Sequence, residues 1–213
     1  PYTKGSHNSD TETELINMRQ RIVPIFERFK VDLVLAGHSH AYERSYLING
    51  HYGNESTFNP ATHALSTSSA KYDGSSNSCT YIKNPTDAVN GIVYVVAGSA
   101  GQLEGSSSGY PHNAMYYSNV SIGGALYFEV EGNRLNGKWI AGDGVIRDNF
   151  TIMKGVNNTV NLTDIPPGTP TQLTASWVGN YNWSTSETTK TITVVPTVNT
   201  TYTVNDGLGC LND

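Results

Sequence analysis

The sequence predicts a mixed α/β (α+β) fold in its first 155 residues and a small all-β module after them. One stretch carries apolar side chains at helical spacing, and a short, continuously apolar strand follows it. Later stretches alternate apolar and polar residues on either side of turn signals, which is typical of strands. Charged residues make up only 15% of the chain, and Gly, Ser, Thr and Asn are abundant, so strands and loops are favoured over long helices.

The helix is predicted over residues 10–30, and Pro24 should kink or split it because proline lacks an amide hydrogen. Its apolar stripe consists of Leu15, Met18, Ile22, Phe26 and Phe29. Residues 31–37 then form an apolar run of the kind found in strands buried on both faces.

Further strands are predicted from the later apolar runs. Residues 91–98 read as a second buried strand, and residues 125–131 and 134–141 as a hairpin. Another strand is predicted over residues 144–153, whereas residues 51–90 lack periodicity and are predicted to be a long surface excursion.

The amino-acid composition of the chain changes near residue 156. Residues 156–172 have the Asn, Thr and Pro content of a linker, and residues 173–213 alternate short β-like runs with turns. We expect this last part to be a partial Ig-like β module, sandwich-like by its strand spacing. It contains no cluster of acids, bases or nucleophiles, so we expect a spacer or adhesion role with contact to a cell surface or glycan.

Composition excludes several partners. A net charge of -5 leaves no basic surface to neutralise phosphates, which argues against nucleic-acid binding. No apolar run approaches the roughly 20 residues of a membrane span. The low-charge, Thr/Ser/Asn-rich surface suggests a secreted or cell-surface protein.

The chain has two cysteines, Cys79 and Cys210, which lie far apart in polar loops. The sequence does not decide whether they form a disulfide. Because we assign them to different domains, we predict free thiols.

The segment VDLVLAGHSHAYERS, residues 31–45, ends an apolar strand with His38 and His40. Open α/β sheets place ligands beyond the carboxyl ends of their strands, and imidazole is a good ligand for zinc or iron. The alternative is that both histidines are ordinary surface or core residues. His51, His63 and His112 lie in polar stretches and suggest no role.

This segment resembles the last metal-binding motif of the calcineurin-like metallophosphoesterases, and in particular of the purple acid phosphatases. The motif is G-H-x-H after a buried strand, frequently continued as A-Y-E-R. PYTKGSHNSDTE at the start, and GIVYVVAGSAGQ and GGALYFEVEGNRLNGKWIAGDGVIRDNFTI later, resemble neighbouring parts of the same family. The resemblance covers residues 1–155.

The resemblance implies the C-terminal half of a layered α/β sandwich of metallophosphoesterase type. It also implies a centre of two metal ions, iron with zinc, manganese or iron, in which His38 binds the second, divalent ion and His40 the first. The substrate would be a phosphate ester, attacked by a metal-bridging hydroxide. His7 matches approximately a histidine that protonates the leaving oxygen or contacts phosphate, or else it is a loop histidine with no role. Tyr42, Glu43 and Arg44 would support or pack around the site.

The departures from the family are as informative as the match. Of the five sequence blocks that supply ligands in the family, only the fifth occurs here, so two imidazoles lack their anionic partners. We therefore predict that the chain is a fragment of an acid phosphatase-like enzyme and is inactive in isolation. The alternatives are a phosphodiesterase or nucleotide-cleaving relative, and a non-catalytic surface-binding protein with a decayed phosphatase domain.

Overall fold

The helical part of the chain is short and interrupted. A computed structural model describes residues 1–161 and 165–213. It has helix α1 over Thr13–Asn17, a π-helical turn over Met18–Ile22 and helix α2 over Val23–Arg28. The predicted helix over 10–30 therefore starts later, and the irregular turn ends at Ile22, two residues before Pro24, which removes an amide hydrogen from the helix ladder. The predicted stripe is only partly buried, since Phe29 is 71% exposed.

The strands of the first part belong mainly to two four-stranded sheets among the described residues. The strands are β1 Leu33–Ala36, β2 Tyr42–Ser45, β3 Leu47–Ile48, β4 Ala64–Ser66, β5 Tyr81–Lys83, β6 Val93–Ala97, β7 Met115–Asn119, β8 Gly124–Glu131, β9 Arg134–Ala141 and β10 Ile146–Lys154. The first sheet has the order β1-β6-β2-β7 and the second β5-β10-β9-β8.

The position of β1 corrects the prediction of a strand buried on both faces at 31–37. Strand β6 is buried inside the first sheet, whereas β1 pairs with β6 alone, in parallel, among the described strands. Leu35 is consequently 54% exposed. An open apolar groove of about 440 Å³ lies beside β1, lined by Leu35, Ala36, Gly37, Ala97, Ala100, Gly124, Ala125, Leu126 and Phe128. The apolar sequence of β1 is thus not matched by burial, because this edge has no neighbour in the described chain.

The predicted hairpin and the last strand of the first part are confirmed. Strands β8 and β9 pair antiparallel, and β9 pairs antiparallel with β10. Side chains from both sheets meet in one core, in which Tyr42 stacks on Trp139 with 4.6 Å between ring centroids.

A buried ion pair joins the two sheets inside this core. Arg44 on β2 donates from Nε and from one terminal nitrogen to the carboxylate of Asp148 on β10, at 2.6 and 2.8 Å. The hydroxyl of Tyr42 donates to the same carboxylate at 2.8 Å. The Arg44 guanidinium also lies over the rings of Tyr116 and Phe150, at 4.7 and 5.2 Å from the centroids.

Residues 51–90 are not the surface excursion that the sequence suggests. They contain a short 3₁₀ turn at Glu55–Thr57, helix α3 over Pro60–His63, and strands β4 and β5. Tyr81 is fully buried in the core between the sheets. These residues are buried by contacts with distant parts of the chain, so their sequence shows no periodic spacing of apolar residues.

The last part of the chain contains short paired strands. Strand β11, Thr171–Thr174, pairs with β13, Thr191–Val194, and β12, Asn182–Trp183, pairs with β14, Val204–Asn205. Their core packs against Met153 and Val156 at the end of β10. Residues 162–164 of the predicted linker lie outside the described residues. No helix within the described chain is long and apolar enough to cross a membrane.

The prediction of free thiols is wrong, because Cys79 and Cys210 form a disulfide with 5.2 Å between their Cα atoms. Tertiary contacts bring the two loops together. Tyr72 donates to the carboxylate of Asp206 at 3.0 Å, and that carboxylate accepts the backbone N–H of Cys210 at 3.2 Å. The disulfide therefore ties residues of the predicted C-terminal module to the first part of the chain.

The buried ion pair should be far more sensitive to substitution than an exposed one. We expect Asp148→Asn to lower the free energy of unfolding by about 3–5 kcal/mol, because it leaves the Arg44 guanidinium buried without its counter-charge. The matched control is Asp143→Asn, which breaks an exposed pair with Arg147 and should lower the free energy of unfolding far less. Urea unfolding measures both, and equal effects would contradict the assigned importance of the buried pair.

The disulfide closes a long loop, with a sequence separation of 131 residues. Replacing both cysteines by alanine should lower the free energy of unfolding by roughly 2–5 kcal/mol, since the unfolded chain regains conformational freedom. Reducing the unsubstituted chain with dithiothreitol should give a similar loss. A thiol titration that finds two free thiols in the unreduced chain would contradict the assignment.

Candidate functional site

The two motif histidines lie on the tight connection between β1 and β2. His38 adopts a left-handed backbone conformation, with φ of 70°, directly after Gly37. The connection is closed by a hydrogen bond from the Ser39 N–H to the Gly37 carbonyl at 2.9 Å. This bend, absent from an extended strand, sets the directions in which the rings of His38 and His40 leave the sheet.

The end of β6 holds this connection from one side. The Gly98 N–H donates to the carbonyl of Ala41 at 3.0 Å. A Cβ atom at Gly98 would lie 2.1 Å from the Ser39 carbonyl oxygen, so any side chain there would displace the connection. Gly37 itself meets no such restriction, because its position is open.

Residues 3–7 hold the connection from the other side. Ser6 Oγ accepts the backbone N–H of His40 at 2.9 Å, and the hydroxyls of Thr3 and Ser39 lie 2.9 Å apart. Glu43 on β2, fully buried, accepts the Lys4 N–H at 3.1 Å and the Thr3 hydroxyl. Burial raises the pKa of Glu43, and these hydrogen bonds oppose the rise. The segment that carries His7 is thus attached to the strand that follows the motif.

The structure brings His7 and His38 together. Their rings stack with 4.3 Å between centroids and 27° between planes. His7 Nδ1 lies 2.7 Å from the Glu12 carboxylate, whose other oxygen accepts the Asn8 N–H at 2.6 Å. Partial burial alone would raise the pKa of Glu12, but hydrogen bonds from Asn8 and His7 bring it below its usual range.

His40 has a different carboxylate neighbour. Its Nδ1 lies 3.0 Å from Oε2 of Glu104, which belongs to the loop after β6. The angle of this contact does not meet that of a hydrogen bond, so His40 Nδ1 has no hydrogen-bond partner among the described residues. The sequence pattern does not identify Glu104 or Glu12 as residues of the site. Glu12 is five residues from His7, and the two side chains come into contact because the chain turns between them.

The described residues do not complete a metal site. Across residues 1–161 and 165–213, no group of three or more His, Cys, Asp or Glu side chains is arranged to hold an ion. His38 and His40 supply two imidazoles, and the nearby carboxylates contact imidazole nitrogens instead of offering free ligand positions. Two neutral donors are too few for a dinuclear centre of hard ions.

Comparisons with known proteins give short or weak similarities. No protein-family model matches the chain. Two uncharacterized proteins of Mycobacterium tuberculosis, from strains CDC 1551 / Oshkosh and ATCC 25618 / H37Rv, are each 42% identical over 40 residues, which is 19% of this chain and 8% of theirs. A purple acid phosphatase from yellow lupin seeds is similar in structure at 17% identity, with a TM-score of 0.45 over 72% of this chain and 24% of its own.

The chain therefore spans about a quarter of the solved phosphatase that it resembles, and the match to the curated relatives covers less than a tenth of their length.

A second group of histidines, to which the sequence assigned nothing, is buried beside the N-terminal segment. His51 and His112 both contact the ring of Tyr2, at 5.8 and 5.6 Å between centroids. Each has one nitrogen without a hydrogen-bond partner in the described part of the chain. Burial lowers the pKa of His112 to about 3 and that of His51 to about 4.

These neutral histidines should make the protein less stable in acid. The unfolded chain protonates its histidines below about pH 6.5 while the folded chain keeps these two neutral, so stability falls as pH drops from there towards about 4. In His112→Asn, an amide oxygen can still accept the Ala114 N–H that His112 Nδ1 accepts at 3.0 Å. The free energy of unfolding, measured with urea, falls between pH 7 and pH 4.5. We expect this fall to be about 2–3 kcal/mol smaller in the variant than in the unsubstituted chain. Equal losses would contradict a neutral, buried His112.

Proposed function

We propose that this chain is part of a metal-dependent phosphoesterase that hydrolyses phosphate monoesters, an acid phosphatase-like phosphohydrolase. In this proposal His38 and His40 are ligands of a centre of two metal ions, iron with zinc, manganese or iron. The observation that carries the proposal is the G-H-x-H connection after β1, whose backbone is hydrogen-bonded by Gly98 on one side and by the Ser6 hydroxyl on the other, with the His7 ring stacked on His38.

The proposal requires further ligands from beyond residues 1–161 and 165–213, because these described residues supply only the two imidazoles. The exposed apolar edge beside the motif supports this requirement. Leu35, three residues before His38, is 54% exposed on a strand edge that lacks a partner among the described strands. Exposed apolar surface of this kind is typical of a face on which further polypeptide packs.

His7 is the proposed contact to the phosphate group or to the leaving oxygen. Its side chain is 28% exposed, its Nδ1 contacts Glu12, and its ring lies against His38. With both ring nitrogens protonated, an imidazole in this position can donate a hydrogen bond or a proton from Nε2 to an oxygen of a bound ester. His40 is anchored through its backbone to Ser6, so both sides of the proposed site depend on the same short segment.

We also propose that the protein is secreted or displayed at the cell surface. The Cys79–Cys210 disulfide supports this, because such bonds persist in oxidising compartments. The partially exposed, Thr-rich C-terminal module would then contact a glycan or another surface component.

Two experiments test the function. The 213-residue chain, dialysed against zinc, manganese and iron, should retain less than one metal ion per chain and should not hydrolyse p-nitrophenyl phosphate. The longer protein containing this chain should hydrolyse the ester. His38→Ala/His40→Ala in that protein should lower kcat/KM at least about 100-fold and lower its metal content. The matched control is His63→Ala, which removes a histidine outside the site.

Three outcomes would overturn the proposal. Turnover by the isolated chain would show that its own residues complete the site. Faster hydrolysis of bis-p-nitrophenyl phosphate than of the monoester would indicate a phosphodiesterase. A longer protein that binds no metal and hydrolyses neither ester would favour the alternative of a non-catalytic surface-binding protein.

A further inference from the structure

We propose that Glu12 is a positioning residue that fixes the tautomer and orientation of His7, so that Nδ1 carries a proton towards Glu12 and Nε2 is the nitrogen presented beside His38. The catalytic consequence of this inference rests on the proposed function, in which His7 Nε2 is the atom that contacts the phosphate ester. The assignment of the tautomer itself rests only on the contacts of the Glu12 side chain.

Both oxygens of Glu12 are used as acceptors. Oε1 accepts the backbone N–H of Asn8 at 2.6 Å, and Oε2 lies 2.7 Å from His7 Nδ1. An ionised carboxylate has no hydrogen to donate, so His7 Nδ1 must be the donor in this contact. In a neutral imidazole the other nitrogen, Nε2, is then unprotonated.

The ring has little freedom to turn away from this arrangement. Glu12 is joined to Asn8 a second time, because its own N–H donates to the Asn8 carbonyl at 3.1 Å. His7 is therefore held between a closed turn on its Nδ1 side and the His38 ring on one face. Its remaining exposed part, which includes Nε2, is the part available to a ligand.

A role in helix capping does not account for the Glu12 side chain. Glu12 occupies the position before α1, yet its carboxylate makes no capping hydrogen bond to that helix. Its contacts are instead with Asn8 and His7.

The isosteric change Glu12→Gln gives a sharp test because it should invert the tautomer. The glutamine oxygen would still accept the Asn8 N–H, which leaves its NH₂ group facing His7 Nδ1. An NH₂ group donates, so Nδ1 would become the acceptor and the proton would move to Nε2. The ring, the turn and the stacking on His38 keep the same shape in this variant.

The measurement is a long-range ¹H–¹⁵N correlation spectrum of the 213-residue chain labelled in histidine, recorded at about pH 8.5, where imidazoles are ordinarily neutral. The His7 signals are identified by their absence in His7→Gln. We expect the Nδ1–H tautomer in the unsubstituted chain and in the control Glu14→Gln, an exposed carboxylate in the same helix, and the Nε2–H tautomer in Glu12→Gln. An Nε2–H tautomer or a mixture in the unsubstituted chain would overturn the proposal, as would an unchanged tautomer in Glu12→Gln.

Activity provides a separate readout. In the longer protein, Glu12→Gln should lower kcat about 10–100-fold with KM little changed. His7 gives a proton from Nε2 to the ester oxygen only when both ring nitrogens are protonated, and the NH₂ group at position 12 opposes the proton on Nδ1 that the Glu12 carboxylate accepts. If the tautomer inverts but the longer protein hydrolyses no phosphate ester, the positioning role stands and the proposed function fails.

Discussion

The ion pair between Arg44 and Asp148 is the interaction on which the rest of the structure depends. It is buried, bidentate and shared with the Tyr42 hydroxyl, and it joins β2 of the first sheet to β10 of the second. Side chains alternate across a strand, so directing Tyr42 and Arg44 into the core between the sheets directs Glu43 to the opposite face. On that face Glu43 accepts hydrogen bonds from Thr3 and Lys4, in the segment that carries His7. One run of three residues thus fastens the two sheets together and holds the candidate site.

The site is built from short connections that stabilise one another. The His38–His40 connection is held by Gly98 on one side and by Ser6 on the other, while His7 is held by Glu12 and stacks on His38. These contacts fix the positions of the candidate ligands. Their rigidity contrasts with the open apolar edge of β1 directly beside them, where the first sheet ends without a partner in the described chain.

Half of the strands of the first part, β1, β6, β8, β9 and β10, could be predicted because their signals are local. The hairpin β8–β9 follows from alternation around a turn, and β6 follows from a continuous apolar run. Residues 51–90 could not be predicted, since Tyr81 and His51 are buried by contacts with distant segments and carry no local period. Free cysteines were predicted for the same reason. Sequence separation gave no indication that the loops of Cys79 and Cys210 meet.

The sequence by itself determined five strands of the first part, the helix break near Pro24 and the residue types of the candidate site, because each depends on neighbours along the chain. It offered His7, His38 and His40 as candidates but not their arrangement. Only the tertiary structure decided that His7 stacks on His38, that Glu12 and Glu104 approach imidazole nitrogens, and that β1 lies at an edge. The physical reason is that pairing, stacking and burial are set by which segments share space, and a one-dimensional pattern does not specify the partner.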